Sequence, residues 1–124
     1  MAQRVGIDLT SVSAVRAAVS EHGERYLERV FTQRERADCD ADPSRLAARF
    51  AAKEAAIKVL RPDPSTALPW SHIEVVRAPG GHVELELAGL AAEHAQAHGL
   101  SGFAVSLSHE GDAACAVVLC SDRT

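Results

Sequence analysis

Glu54 and Lys58 stand four residues apart in the stretch Arg49-Phe50-Ala51-Ala52-Lys53-Glu54-Ala55-Ala56-Ile57-Lys58. On a helix that spacing puts both on one face, close enough to act at a single site. The plainer alternative is an exposed ion pair worth about 0.2–0.5 kcal/mol. Asp8 closes the short segment Arg4-Val5-Gly6-Ile7-Asp8-Leu9. Beside Glu54 it would supply a second hard oxygen donor, which is how magnesium is commonly held next to substrate phosphates. Alone it is a turn or cap residue, and spacing does not show that the two carboxylates meet. Gly6, on the face of Asp8, leaves room for a ligand to approach.

Lys53 poses a different problem. Helical periodicity turns it into the apolar sector between Leu46 and Leu60. A buried ammonium without a partner is costly, so it must reach an anion, a subunit interface or solvent. A structural lysine and a ligand contact both satisfy that requirement. Ser106-Leu107-Ser108-His109-Glu110 puts two serines on one strand face with a histidine just beyond. Such groups can hold phosphate oxygens, or can be ordinary surface residues. A Ser–His–Asp triad is a further alternative, but no serine lies in a G-x-S-x-G turn. His22, His72, His82, His94 and His98 lack metal-ligand spacing and read as surface. Arg25 and Arg29 are i,i+4 neighbours, with Arg16 close by in sequence. They form either a solvated face or a docking patch for an acidic partner.

The elements that must position these groups follow from alternation and caps. Val5, Ile7 and Leu9 alternate with Arg4, Gly6 and Asp8, which predicts a half-buried strand ending near Asp8. Thr10 and Ser11 can cap a helix to about Ser20, stopped by Gly23, and a second short helix covers Glu24 to Val30. Thr32-Gln33-Arg34-Glu35 reads as a capping box opening a third. Ser44 is the expected cap of the longest helix, Arg45 to about Leu60, with Leu46, Phe50, Ile57 and Leu60 as its core stripe. Pro62, Pro64 and Pro69 then define a loop. His72 to Arg77 and His82 to Leu87 form a hairpin about Pro79-Gly80-Gly81, followed by an alanine-rich helix from Ala88 to His98. Phe103 to Ser108 is a strand, His109 to Asp112 its turn, and Ala113 to Leu119 the last strand. The expectation is one α+β domain over residues 1–124 with a largely antiparallel sheet.

Composition narrows the function classes. A net charge of −4 and a pI near 5.8 disfavour a general nucleic-acid binder. Three cysteines, Cys39, Cys115 and Cys120, with no C-x-x-C spacing point to a reducing, cytoplasmic setting. No apolar run is long enough for a membrane span. A chain of this size is marginal alone and stands to gain from self-association.

Taken in order, Gly6-Ile7-Asp8, Arg49-Phe50-Ala51-Ala52-Lys53-Glu54-Ala55 and Ser106-Leu107-Ser108-His109 resemble the holo-acyl-carrier-protein synthases, the short single-domain 4′-phosphopantetheinyl transferases. The likeness extends to Arg29-Val30-Phe31-Thr32 with Glu35, and to Trp70 with Ile73-Glu74-Val75. It implies an α+β fold with a largely antiparallel sheet packed on a long central helix, assembled as a trimer with coenzyme A bound between subunits. It further implies Asp8 and Glu54 as magnesium ligands and Lys58 as the group neutralising the leaving phosphate. Arg49, Lys53, Ser108 and His109 match positions lining the coenzyme A cleft, and Arg25, Arg29 and Arg16 the surface receiving an acidic acyl carrier protein. Where relatives carry a glycine-rich turn after the central helix, this chain has Arg61-Pro62-Asp63-Pro64-Ser65-Thr66. A non-catalytic coenzyme A-binding subunit and a metal-dependent nucleotide pyrophosphate hydrolase are the competing readings.

Overall fold

A computed structural model describes residues 2–123. Strand β1 (Ala2–Ser11) leads into helix α1 (Val12–His22), whose cap is Ser11, its hydroxyl accepting from Ala14 N. Gly23, at φ 56°, ends α1 and starts α2 (Glu24–Val30). The backbone conformation there is one that L side chains rarely adopt, which is why glycine stands at that joint. Helix α3 (Gln33–Cys39) opens on the expected capping box of Thr32 and Glu35. The central helix α4 (Pro43–Leu60) is capped by Asp42, not Ser44. Proline at the first position has no N–H to lose and sets φ for the helix, so the start falls earlier than expected. A short 3₁₀ turn (Trp70–His72), strands β2 (Ile73–Arg77) and β3 (Val83–Leu87), helix α5 (Gly89–Ala97), and strands β4 (Leu100–Glu110) and β5 (Ala113–Asp122) complete the chain.

All strand pairs are antiparallel, but they fall into two sheets. One has the order β1-β5-β4, and the other is the β2–β3 hairpin. The turn between β4 and β5 is only Gly111-Asp112, since Glu110 pairs with Ala113 and His109 with Ala114. His109 is therefore a strand residue rather than part of the turn.

Helix α4 lies across the inner face of the three-stranded sheet. Its buried surface is broader than the expected stripe and is made mostly of small side chains: Ala47, Ala48, Ala51, Ala52, Ala55 and Ala56, with Leu46, Val59 and Leu60. Phe50 and Ile57 are only half-buried and pack at the edge of that core. Small residues allow close approach, and Gly6 shows how close. A β-carbon built there would sit 2.3 Å from the carbonyl oxygen of Ala55. The space at Gly6 is filled by the helix backbone and is not open to a ligand.

This contact also sets which face of the strand is inward. Arg4, Gly6, Asp8 and Thr10 face α4, while Val5, Ile7 and Leu9 are 64%, 64% and 72% exposed. The β1–β5 register pairs Val5 with Leu119, Ile7 with Val117 and Leu9 with Cys115, so the outer face of this sheet is an apolar surface.

Candidate functional site

Because Gly6 brings β1 onto α4, Asp8 lies along the helix flank that carries Lys58 and Glu54. The Lys58 ammonium donates to Ile7 O at 2.7 Å and reaches Asp8 Oδ1 at 3.3 Å. Thr10 Oγ1 donates to Asp8 Oδ2 at 3.1 Å and fixes the carboxylate from the other side. Burial raises the pKa of Glu54, the negative charge of Asp8 raises it further, and Lys58 pulls it back. The three groups thus feel one another's charge across two elements 46 residues apart in the chain. Lys58 is about half exposed and Asp8 19% exposed, so the cluster opens to solvent. Among the described residues no three His, Cys, Asp or Glu side chains converge, so the chain itself offers this carboxylate pair as hard oxygen donors. The two carboxylates repel one another beside a single lysine, and they are the side chains here that could hold a cation.

Lys53, one residue before Glu54, is turned the other way. Its side chain is fully buried, and its ammonium meets Glu35 Oε1 at 2.8 Å, Trp70 O at 2.9 Å and Ile73 O at 2.6 Å. Three N–H donors have three acceptors, so Lys53 reaches no cleft on this chain, contrary to the expectation drawn from the resemblance. Glu35 is equally buried and accepts from Thr32 N at 2.9 Å and Val75 N at 2.8 Å. The capping box explained Glu35 completely at the level of sequence, which concealed its second role as the partner of Lys53. Desolvation lowers the Lys53 pKa, and the charge and hydrogen bond of Glu35 oppose that shift.

Arg49, a turn before Lys53, is 4% exposed, and its buried Nε has no hydrogen-bond partner among the described residues. An unsatisfied buried donor of a guanidinium is costly, and a second molecule bearing an anion would relieve it. Ser106 and Ser108 lie on the outer, apolar face of β4, paired with Val117 and Cys115, whereas His109 faces the opposite side. Alternation along a strand therefore separates the serines from the histidine, and no serine–histidine pair forms. Ser108 and His109 still border one small cleft with Leu9 and Cys115 at the hairpin end. Arg25 and Arg29 are exposed on α2, and Arg16 is exposed on α1. Arg29 also borders a cavity of about 540 Å³ walled by Ile57, Pro62, Leu68, Pro69 and Trp70. The chain alone gives no alternation or motif that would find this cavity, because its walls come from a proline-rich loop.

Residues 4–118 match the family model of the 4′-phosphopantetheinyl transferase superfamily. This chain belongs to that superfamily. Within the superfamily it is 42% identical to the holo-[acyl-carrier-protein] synthase of Desulforudis audaxviator, over 93% of this chain and 89% of that protein. It is 40% identical to the synthase of Herpetosiphon aurantiacus, over 92% and 94%. Among solved structures, the ACPS–CoA complex of Chronobacterium ammoniagenes superposes with a TM-score of 0.88 at 32% identity, covering 100% of both chains. The Helicobacter pylori synthase in complex with coenzyme A gives 0.86 at 27% identity, over 95% of this chain and 100% of that one. The α+β phosphopantetheinyl transferase fold expected from the three motifs is thus the fold of this chain.

Proposed function

We propose that this protein is a holo-[acyl-carrier-protein] synthase, which moves 4′-phosphopantetheine from coenzyme A to a serine of an apo acyl carrier protein and releases 3′,5′-ADP. The observation carrying this reading is the meeting of Asp8, Glu54 and Lys58 at one solvent-open site, in a chain matching such synthases over nearly its whole length. In the reaction the serine oxygen bonds to the β-phosphorus of coenzyme A. The bond from that phosphorus to the bridging oxygen breaks, and the electron pair leaves with 3′,5′-ADP.

Asp8 and Glu54 fit a magnesium ion, since the charge of Asp8 helps to raise the Glu54 pKa and a shared cation would relieve that repulsion. Such an ion, when bound, polarises the pyrophosphate as a Lewis acid. The side chains supply the rest. Lys58 offsets the charge that grows on the leaving group, because phosphoryl transfer depends mainly on positioning and electrostatics. Glu54, half-buried and less acidic than an ordinary glutamate, is suited to take the serine proton. The orphaned Arg49 is suited to a phosphate of the nucleotide. The cavity beside Ile57, largely apolar apart from Arg29 and Thr66, suits the pantetheine arm. Arg25, Arg29 and Arg16 offer positive charge to an acidic carrier.

A trimer is the assembly that the resemblance implies. The exposed face of Val5, Ile7, Leu9 and Leu119 supports self-association, because an apolar sheet face of this kind gains by being covered. Ser108 lies on the same face. We place the protein in the cytoplasm, a reading supported by its three unpaired cysteines. Among the described residues no helix is long and apolar enough to cross a membrane.

The deciding experiment incubates the protein with coenzyme A, magnesium and apo acyl carrier proteins of fatty-acid, polyketide and peptide synthesis, and records the carrier's intact mass. One added phosphopantetheinyl group, lost with EDTA, is the expected result. Bound coenzyme A without transfer to any carrier would favour a non-catalytic binder. Consumption of coenzyme A without a carrier would favour a hydrolase.

A further inference from the structure

Lys53 takes no direct part in the chemistry above, yet it is next to Glu54 in the chain and bonds the carbonyl of Trp70, a residue of the cavity wall. The segment after α4 contains Pro62, Pro64 and Pro69, and its hydrogen bonds are local: Thr66 N to Asp63 O at 2.8 Å, and Ser65 N to Asp63 Oδ1 at 2.8 Å. The same segment forms the wall of the cavity through Leu68, Pro69 and Trp70, opposite Ile57, which stands one helical turn from Glu54. Where the segment ends, the Lys53 ammonium fastens Trp70 O and Ile73 O to α4, and Glu35 fastens Val75 N to the same point. The ring of Phe50, with its centroid 5.3 Å from that of Trp70, packs on the same wall without bonding its backbone.

We propose that Lys53 is a positioning residue for the transfer, acting through the carbonyls of Trp70 and Ile73 to fix the cavity wall beside Glu54. The proposal rests on the function given above. A charged tether suits this task better than apolar packing, because hydrogen bonds to two carbonyls fix direction as well as distance. A wall that shifts loosens its hold on the part of coenzyme A lying in the cavity, so the loss is felt in coenzyme A affinity rather than in turnover. A lysine that served stability alone would change the melting temperature and leave substrate affinity as it was.

The test is the double variant Lys53→Met/Glu35→Gln, since Lys53→Met alone leaves a buried carboxylate without its cation. Glu35→Gln alone, which keeps both carbonyl bonds but strips the buried ammonium of its anion and so should melt lower than the parent, is the control for the tether. Trp70 is the chain's single tryptophan, so its quenching by acrylamide reads the tether without reference to activity. Expected are a cooperative melt, Trp70 quenching raised about twofold, a KM for coenzyme A raised about tenfold, and kcat within about threefold of the parent. The control should resemble the parent in both readouts. Unchanged quenching, or quenching raised with KM unchanged, overturns the proposal, as does a fall in kcat at constant KM. If the double variant does not fold, Lys53→Gln in the Glu35→Gln background takes its place with the same readouts. If the parent transfers nothing, the functional reading fails, and quenching alone decides whether the tether exists.

Discussion

Two lysine–carboxylate clusters occupy opposite flanks of α4, and their key residues, Lys53 and Glu54, are adjacent in the chain. On the inner flank Lys53 and Glu35 are both 0% exposed, and every Lys53 donor is matched. On the outer flank Glu54 is half-buried and repelled by Asp8, with one lysine, half exposed, to answer two carboxylates. The first cluster is complete within the chain and ties α3, α4 and β2 together. The second is incomplete and opens to solvent. Charge balanced inside the fold serves architecture, and charge left unbalanced at the surface is available for a ligand and for catalysis. The same residue types, one peptide bond apart, are divided by direction alone.

That contrast breaks most sharply at Glu54. Glu54→Gln should lower the turnover number by on the order of 10³, measured as carrier modified per unit time. It should also raise the melting temperature of the metal-free chain, because it removes a buried repulsion. Normal turnover would take Glu54 out of the mechanism, and a lower melting temperature would show that the outer cluster is structural too.

Lys53→Met should do the reverse. Removing one partner of a fully buried pair costs about 3–5 kcal/mol, read as a lower urea midpoint at unchanged slope. Apart from that loss, any folded fraction should still transfer phosphopantetheine, with weaker coenzyme A binding. A variant as stable as the parent would erase the distinction between the flanks.

The smallest effect is one of pH. Glu54 has a raised folded pKa, so its contribution to the stability of the metal-free chain is present below the ordinary glutamate pKa and is lost as pH rises through the folded value. A divalent cation needs the ionised form, so stabilisation by magnesium should grow over that same rise. Thermal shifts with and without magnesium, recorded from about pH 4 to 8, should show this dependence in the parent and lose it in Glu54→Gln. A magnesium shift that is flat with pH in the parent would remove Glu54 from the ligand set.

Much of this was legible beforehand because it is written in local chemistry. The capping box at Thr32, the stop at Gly23 and the hairpin around Gly80 depend on residues within a few positions of one another. The Arg49–Lys58 stretch resembled its family for the same reason: one helix carries it. The resemblance also supplied the roles suggested for Asp8 and Lys58. Lys53 was legible only as a question, since burial demanded a partner without naming Glu35.

The sequence by itself therefore determined which segments form helices and strands, though not the cap of α4, and which residues could do chemistry. The tertiary structure decided which way they look. Alternation in β1 allowed either face to be inward, and the close approach of Gly6 to Ala55 O chose the face with Asp8, turning Val5, Ile7 and Leu9 outward. The same contact sets Asp8 beside Lys58, and the packing of α3 and β2 on the other flank closes over Lys53. Strand and helix periods fix which residues share a face. Only the partner elements, distant in the chain, determine whether that face meets a core or a ligand.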